Sequence, residues 1–200
     1  RNKIMNLPNK LTMFRIIMVP LMIVLFIINK QLDTLLNNLG LYLIGFIFLL
    51  GSFTDFLDGH IARKRDIVTT FGKFIDPLAD KLLMTTAMII LSTLYYQNSD
   101  GLYMWMPFYI VMIFIARDLT TTSIRMVAMS EGEVVAAHFS GKIKTVFITI
   151  TFTYYFFIMP INTNVVNIIG MILTIISAGF MIWSAIDYLY KSRKIIFKQI

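Results

Sequence analysis

Asp55, Asp58, Asp76 and Asp80, four of the 11 acidic residues in this 200-residue chain, form two spaced pairs within one short stretch. Asp55 and Asp58 are three positions apart and Asp76 and Asp80 four apart, so on a helix each pair shares one face. Four like charges brought together at a membrane boundary are costly, and a cation has to compensate them. The chain has no cysteine and no histidine cluster nearby. An all-oxygen donor set of this kind favours a hard ion, Mg²⁺ or Mn²⁺. Four carboxylates suit two such ions about 3.5–4 Å apart, the arrangement used for in-line displacement at phosphorus. Helix capping is the plain alternative, and Asp76 before Pro77 reads as a helix start with Pro in its first turn. Capping does not serve Asp55 and Asp58, which are expected to end a helix, where negative charge opposes the dipole. A metal site explains both pairs.

Between the pairs stand Gly59, Ala62, Arg63 and Gly72. The small residues would allow close helix packing. They would equally let a nucleotide or pyrophosphate approach the backbone, where Arg63 offers a fork of donors to phosphate oxygens. His60 and His138 have no ligand company and read as structural or solvated.

The elements that must position these groups follow from composition. Hydrophobic residues make up 58% and charged residues 14%, against roughly 45–50% and about 25% in soluble domains. Mean hydropathy is +0.75. Too few polar side chains remain to cover a water-soluble surface, which excludes a soluble enzyme and a disordered chain. The absence of cysteine excludes disulfide scaffolds, thiolate zinc sites and cysteine nucleophiles. A net charge of +7 in so apolar a chain points to basic loops on anionic lipid rather than to nucleic acid. The reading is a single all-α integral membrane domain over 1–200.

About 20 apolar residues cross the hydrocarbon core. Leu11 to Ile28, with Arg15 snorkelling and a kink at Pro20, is a first span. Thr34 to Thr54 is a second, Leu82 to Ser99 a third and Gly101 to Ala116 a fourth. Thr145 to Ile186 carries no charge and is too long for one crossing; Pro160-Ile-Asn-Thr-Asn164 divides it into a fifth and a sixth. Six transmembrane helices are expected, with residues 1–10 a basic interfacial segment. Both termini on the cytoplasmic side place every Lys and Arg except Lys30 inside, as the positive-inside rule requires. The expected location is the inner (cytoplasmic) membrane, with the aspartates facing the cytoplasm. No small-residue cleavage site follows the first apolar run, so no cleaved leader is expected, and Met5 reads as the natural start. Tyr103 and Trp105 lie near the outer boundary, where aromatic belts form.

Read together, the acidic stretch is Asp55-x2-Asp58-Gly59-x2-Ala62-Arg63-x8-Gly72-x3-Asp76-x3-Asp80. It resembles the motif of the CDP-alcohol phosphotransferase family at every fixed position. Eight such positions would match by chance on the order of 10⁻¹⁰ per start site. Six spans with the motif between the second and third are also similar to the family. The resemblance implies transfer of a phosphatidyl or phosphoalkyl group from a CDP-linked donor to an alcohol, with release of CMP. It implies Asp55, Asp58 and Asp76 as principal metal ligands of a two-metal site. Asp80 would be both near the second metal and the general base. Gly59, Ala62, Arg63 and Gly72 would line the CDP site. A homodimer is implied by the resemblance alone.

For the acceptor, Asn6-Leu7-Pro8-Asn9-x2-Thr12-x2-Arg15 and Gly141-Lys142-x-Lys144-Thr145 resemble the bacterial members that use glycerol 3-phosphate. The reaction implied is CDP-diacylglycerol plus sn-glycerol 3-phosphate, giving phosphatidylglycerophosphate and CMP. A dianionic phosphate needs fixed positive charge on the cytoplasmic side. Arg117 and Lys142, each adjoining an apolar span, are the first candidates, followed by Lys144 and then Arg125. Ordinary positive-inside bias is the alternative for each. Asp118 is expected to pair with a neighbouring base, and Asp187 with Lys191. Other acceptors within the family, namely phosphatidylglycerol, inositol phosphate or serine, stay open. A divalent-cation transporter would want acidic residues through the membrane depth, yet only Asp33 and Asp100 lie near the outer side. A membrane prenyltransferase would carry its aspartate motifs on widely separated helices.

Overall fold

The computed structural model describes residues 7–31, 34–65, 70–94, 106–130 and 139–196; the side chains of 7–8, 30–31, 34–37, 56–65, 70–74, 125–130, 139–140 and 194–196 lie outside the description. Every element among the described residues is helical. α1 spans Leu7–Gln31, α2 Thr34–Arg65, α3 Thr70–Thr93, α4 Phe108–Ser130, α5 Phe139–Phe157 and α6 Asn164–Ile196, with a 3₁₀ turn at Met159–Ile161 between the last two. At 1.5 Å per residue the 25-residue α1 is about 37 Å long, enough to cross a bilayer core. The α5–α6 break falls where the sequence places it. Pro160 sits in the 3₁₀ turn, and Asn162 closes that turn with φ of 52°, the left-handed region Asn tolerates. The Thr163 hydroxyl then accepts a hydrogen bond from the Val166 N–H at 3.3 Å, capping the start of α6.

Packing follows from which faces are apolar and small. α1 lies against α2 and α3, α2 against α5, α5 against α6, and α4 against α6. Met22, Ile44, Phe48, Leu83, Leu91, Phe152 and Phe156 form the centre of the core. Phe48 reaches Phe152 with ring centroids 5.5 Å apart. Gly45 lets α2 approach α5 so closely that a methyl group there would lie 2.6 Å from the Phe156 Cβ. Between α5 and α6, Thr151 pairs with Ser177 at 2.7 Å and Tyr155 with Thr174 at 2.6 Å. Such interhelical hydrogen bonds help hold helices together where lipid removes the hydrophobic drive.

The outward faces are apolar, as a lipid-facing surface must be: Ile17, Phe46, Ile175 and Ile186 are each more than half exposed. Four helical stretches are long and apolar enough to cross a membrane: Asn9–Asn29, Asn38–Asp55, Gly141–Ile161 and Asn164–Arg193. The chain is a multi-pass membrane protein. α3 and α4, 24 and 23 residues long, fall outside that set because charges interrupt them, Asp76, Asp80 and Lys81 in α3 and Arg117, Asp118 and Arg125 in α4; residues 95–105, with Tyr103 and Trp105, lie outside the described residues.

Three local expectations are corrected. α2 does not end at the first aspartate pair but runs ten residues past Asp55 to Arg65. The Arg and Lys residues there are good helix formers, and positive charge in a last turn suits the dipole. α3 begins at Thr70, so Asp76 is not its cap and Pro77 lies inside the helix. Arg15 does not snorkel; it is fully buried, because a carboxylate of α2 meets it. α1 is helical from Leu7, so residues 7–10 continue into the first span; residues 1–6 lie outside the described residues.

Candidate active site

With α2 running on to Arg65 and α3 starting at Thr70, both aspartate pairs lie within helices rather than at ends. Asp55 projects from α2, and Asp76 and Asp80 from α3. α1 meets two of them from one face. The Arg15 guanidinium donates from Nη1 to Asp55 Oδ1 at 2.7 Å, and the Thr12 hydroxyl donates to Asp76 Oδ1 at 2.6 Å. The Arg15 side chain is fully buried while that of Asp55 is 44% exposed. The carboxylate thus faces the open side, and the guanidinium stands behind it.

A second cluster gathers around Asp118 on α4. Its Oδ1 accepts from Arg117 Nη1 at 2.9 Å and from Lys144 Nζ of α5 at 2.9 Å. Arg117 also donates from Nη2 to the Ser184 hydroxyl of α6 at 2.6 Å. The Lys144 ammonium lies 4.6 Å from the Phe114 ring centroid. Lys81 of α3 donates to the Thr122 hydroxyl of α4. α4 and α5 thus set two cations against a single carboxylate, and α6 holds one of those cations through Ser184.

Asp80 lies on α3 one turn after Asp76, and its neighbour Lys81 reaches α4, which places it between the two clusters. It feels the charges of Asp55 and Arg15 on one side and of Lys144 and Asp118 on the other. Burial first, then the Asp55 charge, pushes its carboxyl up to about 6, against the pull of Arg15 and Lys144. Asp55 in turn feels the charge of Asp76.

Of the residues singled out in the sequence, Asp55, Asp76, Asp80, Arg117, Lys142 and Lys144 are described with their side chains. Lys142 is exposed and Lys144 buried. Asp58, Gly59, Ala62, Arg63 and Arg125 lie on helices and Gly72 near the start of α3, their side chains outside the described residues, as is His138 altogether. Asp118 pairs with a neighbouring base as expected, and Lys191 meets Asp187 at 2.6 Å. Ser184 was not singled out in the sequence, and Thr12 and Arg15 stood only within the opening motif, with no contact to the aspartates expected. A signal existed for Arg15, a charge inside an apolar run.

The donors fit a hard divalent cation in kind. All are carboxylates, and Asp55 and Asp80 repel each other, so a cation would relieve a cost the fold otherwise bears. Among the described residues no three His, Cys, Asp or Glu side chains gather as a ready ligand set. The Asp58 carboxylate, the fourth of the motif, is not among them.

Comparison with known proteins gives a consistent result. The family model for CDP-alcohol phosphatidyltransferase matches residues 5–183. CDP-diacylglycerol–glycerol-3-phosphate 3-phosphatidyltransferase of Bacillus subtilis is 41% identical over 145 residues, 70% of either chain. The Salmonella choleraesuis protein of the same name is 28% identical over 191 residues, covering 94% of this chain and 95% of the relative. A cardiolipin synthase (CMP-forming) of Oryza sativa is 33% identical over 207 residues, covering 98% of this chain but 60% of the relative.

Proposed function

The chain belongs to the CDP-alcohol phosphatidyltransferase family, and on that premise we propose that it transfers the phosphatidyl group of CDP-diacylglycerol to sn-glycerol 3-phosphate in phospholipid synthesis. The products are phosphatidylglycerophosphate and CMP. The observation that carries this reading is that α3 links the two clusters: Asp76 is held by α1 beside the Asp55 site, Asp80 follows one turn later, and the next residue, Lys81, reaches Thr122 of α4, the helix that bears Asp118. A base in this reaction has to touch both the donor and the acceptor sites.

Asp55, Asp58, Asp76 and Asp80 would hold a pair of Mg²⁺ or Mn²⁺ ions, in a family generally dependent on a divalent metal. When bound, such ions neutralise the pyrophosphate and make CMP a better leaving group. Gly59, Ala62, Arg63 and Gly72 line the CDP side. Arg117 and Lys144, with Lys142 and Arg125, receive the acceptor phosphate. The phosphate enters a cluster already carrying one more positive than negative charge, and Ser184 keeps the Arg117 guanidinium in place. Asp80 takes the proton of the acceptor hydroxyl as that oxygen bonds to the β-phosphorus. The phosphoanhydride bond breaks in the same step, and its electron pair leaves with CMP. Donor acyl chains stay in lipid while the soluble acceptor arrives from the cytoplasm. This requires six crossings with both termini inside, supported by the placement of Lys and Arg. The inner membrane and a homodimeric assembly complete the proposal, the latter supported by family resemblance.

Purified protein in detergent with Mg²⁺ and CDP-diacylglycerol should convert labelled glycerol 3-phosphate to phosphatidylglycerophosphate, identified by mass. Product from phosphatidylglycerol, serine or inositol phosphate, and none from glycerol 3-phosphate, would overturn the acceptor assignment. The phosphatidylglycerol arm matters most, given the similarity to a cardiolipin synthase.

A further inference from the structure

Thr12 and Arg15 are the two places where α1 is polar inside its own apolar run, and neither side chain is exposed at all. Three positions apart, they share one face of the helix. That face reaches across to two different helices: Arg15 to Asp55, 40 positions away, and Thr12 to Asp76, 64 positions away. A contact needed only to pack α1 would be made more cheaply by apolar side chains, since taking a guanidinium out of water costs several kcal/mol before any pairing. What the polar face adds is direction. Each donor binds Oδ1 of its aspartate. That restrains each carboxylate rotamer, and Asp55 stays 44% exposed on the open side.

Building on the proposed function, we propose that Thr12 and Arg15 are positioning residues. From one face of α1 they clasp Asp55 of α2 and Asp76 of α3 and hold both carboxylates in the orientation that binds the divalent cation. Partners that orient metal-binding side chains commonly carry 10–100-fold of the metal affinity. The clasp also sets the relative position of α2 and α3, because one rigid helix supplies both contacts.

The test uses the full-length protein in detergent, with Mn²⁺ binding followed by electron paramagnetic resonance and thermal unfolding measured alongside. Thr12→Val keeps the shape and removes the donor; Thr12→Ser keeps the donor. Arg15→Lys keeps the charge and removes the fork. Thr12→Val and Arg15→Lys should each weaken Mn²⁺ binding by about 10–100-fold, and raise by a similar factor the Mn²⁺ concentration giving half-maximal CMP release. Thr12→Ser should stay near wild type in both. Lower melting temperatures in Thr12→Val and Arg15→Lys with unchanged Mn²⁺ affinity would show a packing contact only and overturn the proposal. A wild-type protein that binds no Mn²⁺ would instead remove the metal reading on which it rests. Wild-type binding and turnover with indifferent variants would remove the clasp alone.

Discussion

The Asp118 cluster makes a quantitative prediction about asymmetry. Lys144 and Asp118 meet at 2.9 Å with side chains only 8% and 20% exposed, so their pairing is shielded from solvent. Removing one partner of such a buried pair typically costs about 3–5 kcal/mol, because the other is left charged and unpaired. The two partners are not equivalent here. Asp118→Asn deprives both Lys144 and Arg117 of their anion, and the loss should be about 3 kcal/mol. Lys144→Met leaves Asp118 still bound to Arg117 at 2.9 Å and gives up the ammonium contact with the Phe114 ring. The expected loss is about 1–2 kcal/mol, the scale of one hydrogen bond to a charged group. The double variant should cost less than the sum by about 1–2 kcal/mol, as contacting residues do. Unfolding of purified protein in mild detergent, titrated with dodecyl sulfate and followed by circular dichroism, measures all three. Lys144→Met as damaging as Asp118→Asn, or strict additivity, would refute the reasoning.

Other expectations follow from the same contacts. Gly45→Ala would place its methyl 2.6 Å from the Phe156 Cβ, close to backbone, whereas Gly51→Ala would meet the movable Cδ2 of Leu83 at 2.6 Å. Gly45→Ala should therefore lose about 1–3 kcal/mol and Gly51→Ala less, measured by the same titration. Lys144→Gln should raise the KM for glycerol 3-phosphate about tenfold or more, the value of a buried charged hydrogen bond, with the KM for CDP-diacylglycerol unchanged. Lys142→Gln, at an exposed position, should raise it by less than about fivefold. Equal effects would show that burial of Lys144 does not distinguish the two.

The sequence made the aspartate spacing and the α5–α6 break legible because both depend on local rules: helical periodicity in one case, Pro and Asn turn chemistry in the other. It misjudged where α2 and α3 end. Asp58 and Pro77 read as boundaries, yet the basic run to Arg65 and the turn before Asp76 are both helical. It did not show which aspartates Thr12 and Arg15 meet. Arg15 looks like an interfacial charge until α1 is laid against α2, where a contact 40 positions away meets the buried guanidinium. Likewise, position alone ranked Lys142 ahead of Lys144. Only the meeting of α4 and α5 shows which of them is buried beside Asp118.

The account stands most directly on CMP release by purified wild-type protein and by Asp80→Asn, each with Mg²⁺ and CDP-diacylglycerol, with and without glycerol 3-phosphate. Wild-type release should require glycerol 3-phosphate. Asp80→Asn should lose at least about 10²-fold of the rate, as expected for a positioned base, while unfolding at the wild-type temperature. Near-normal release by Asp80→Asn, or release by neither protein with any acceptor, would contradict it.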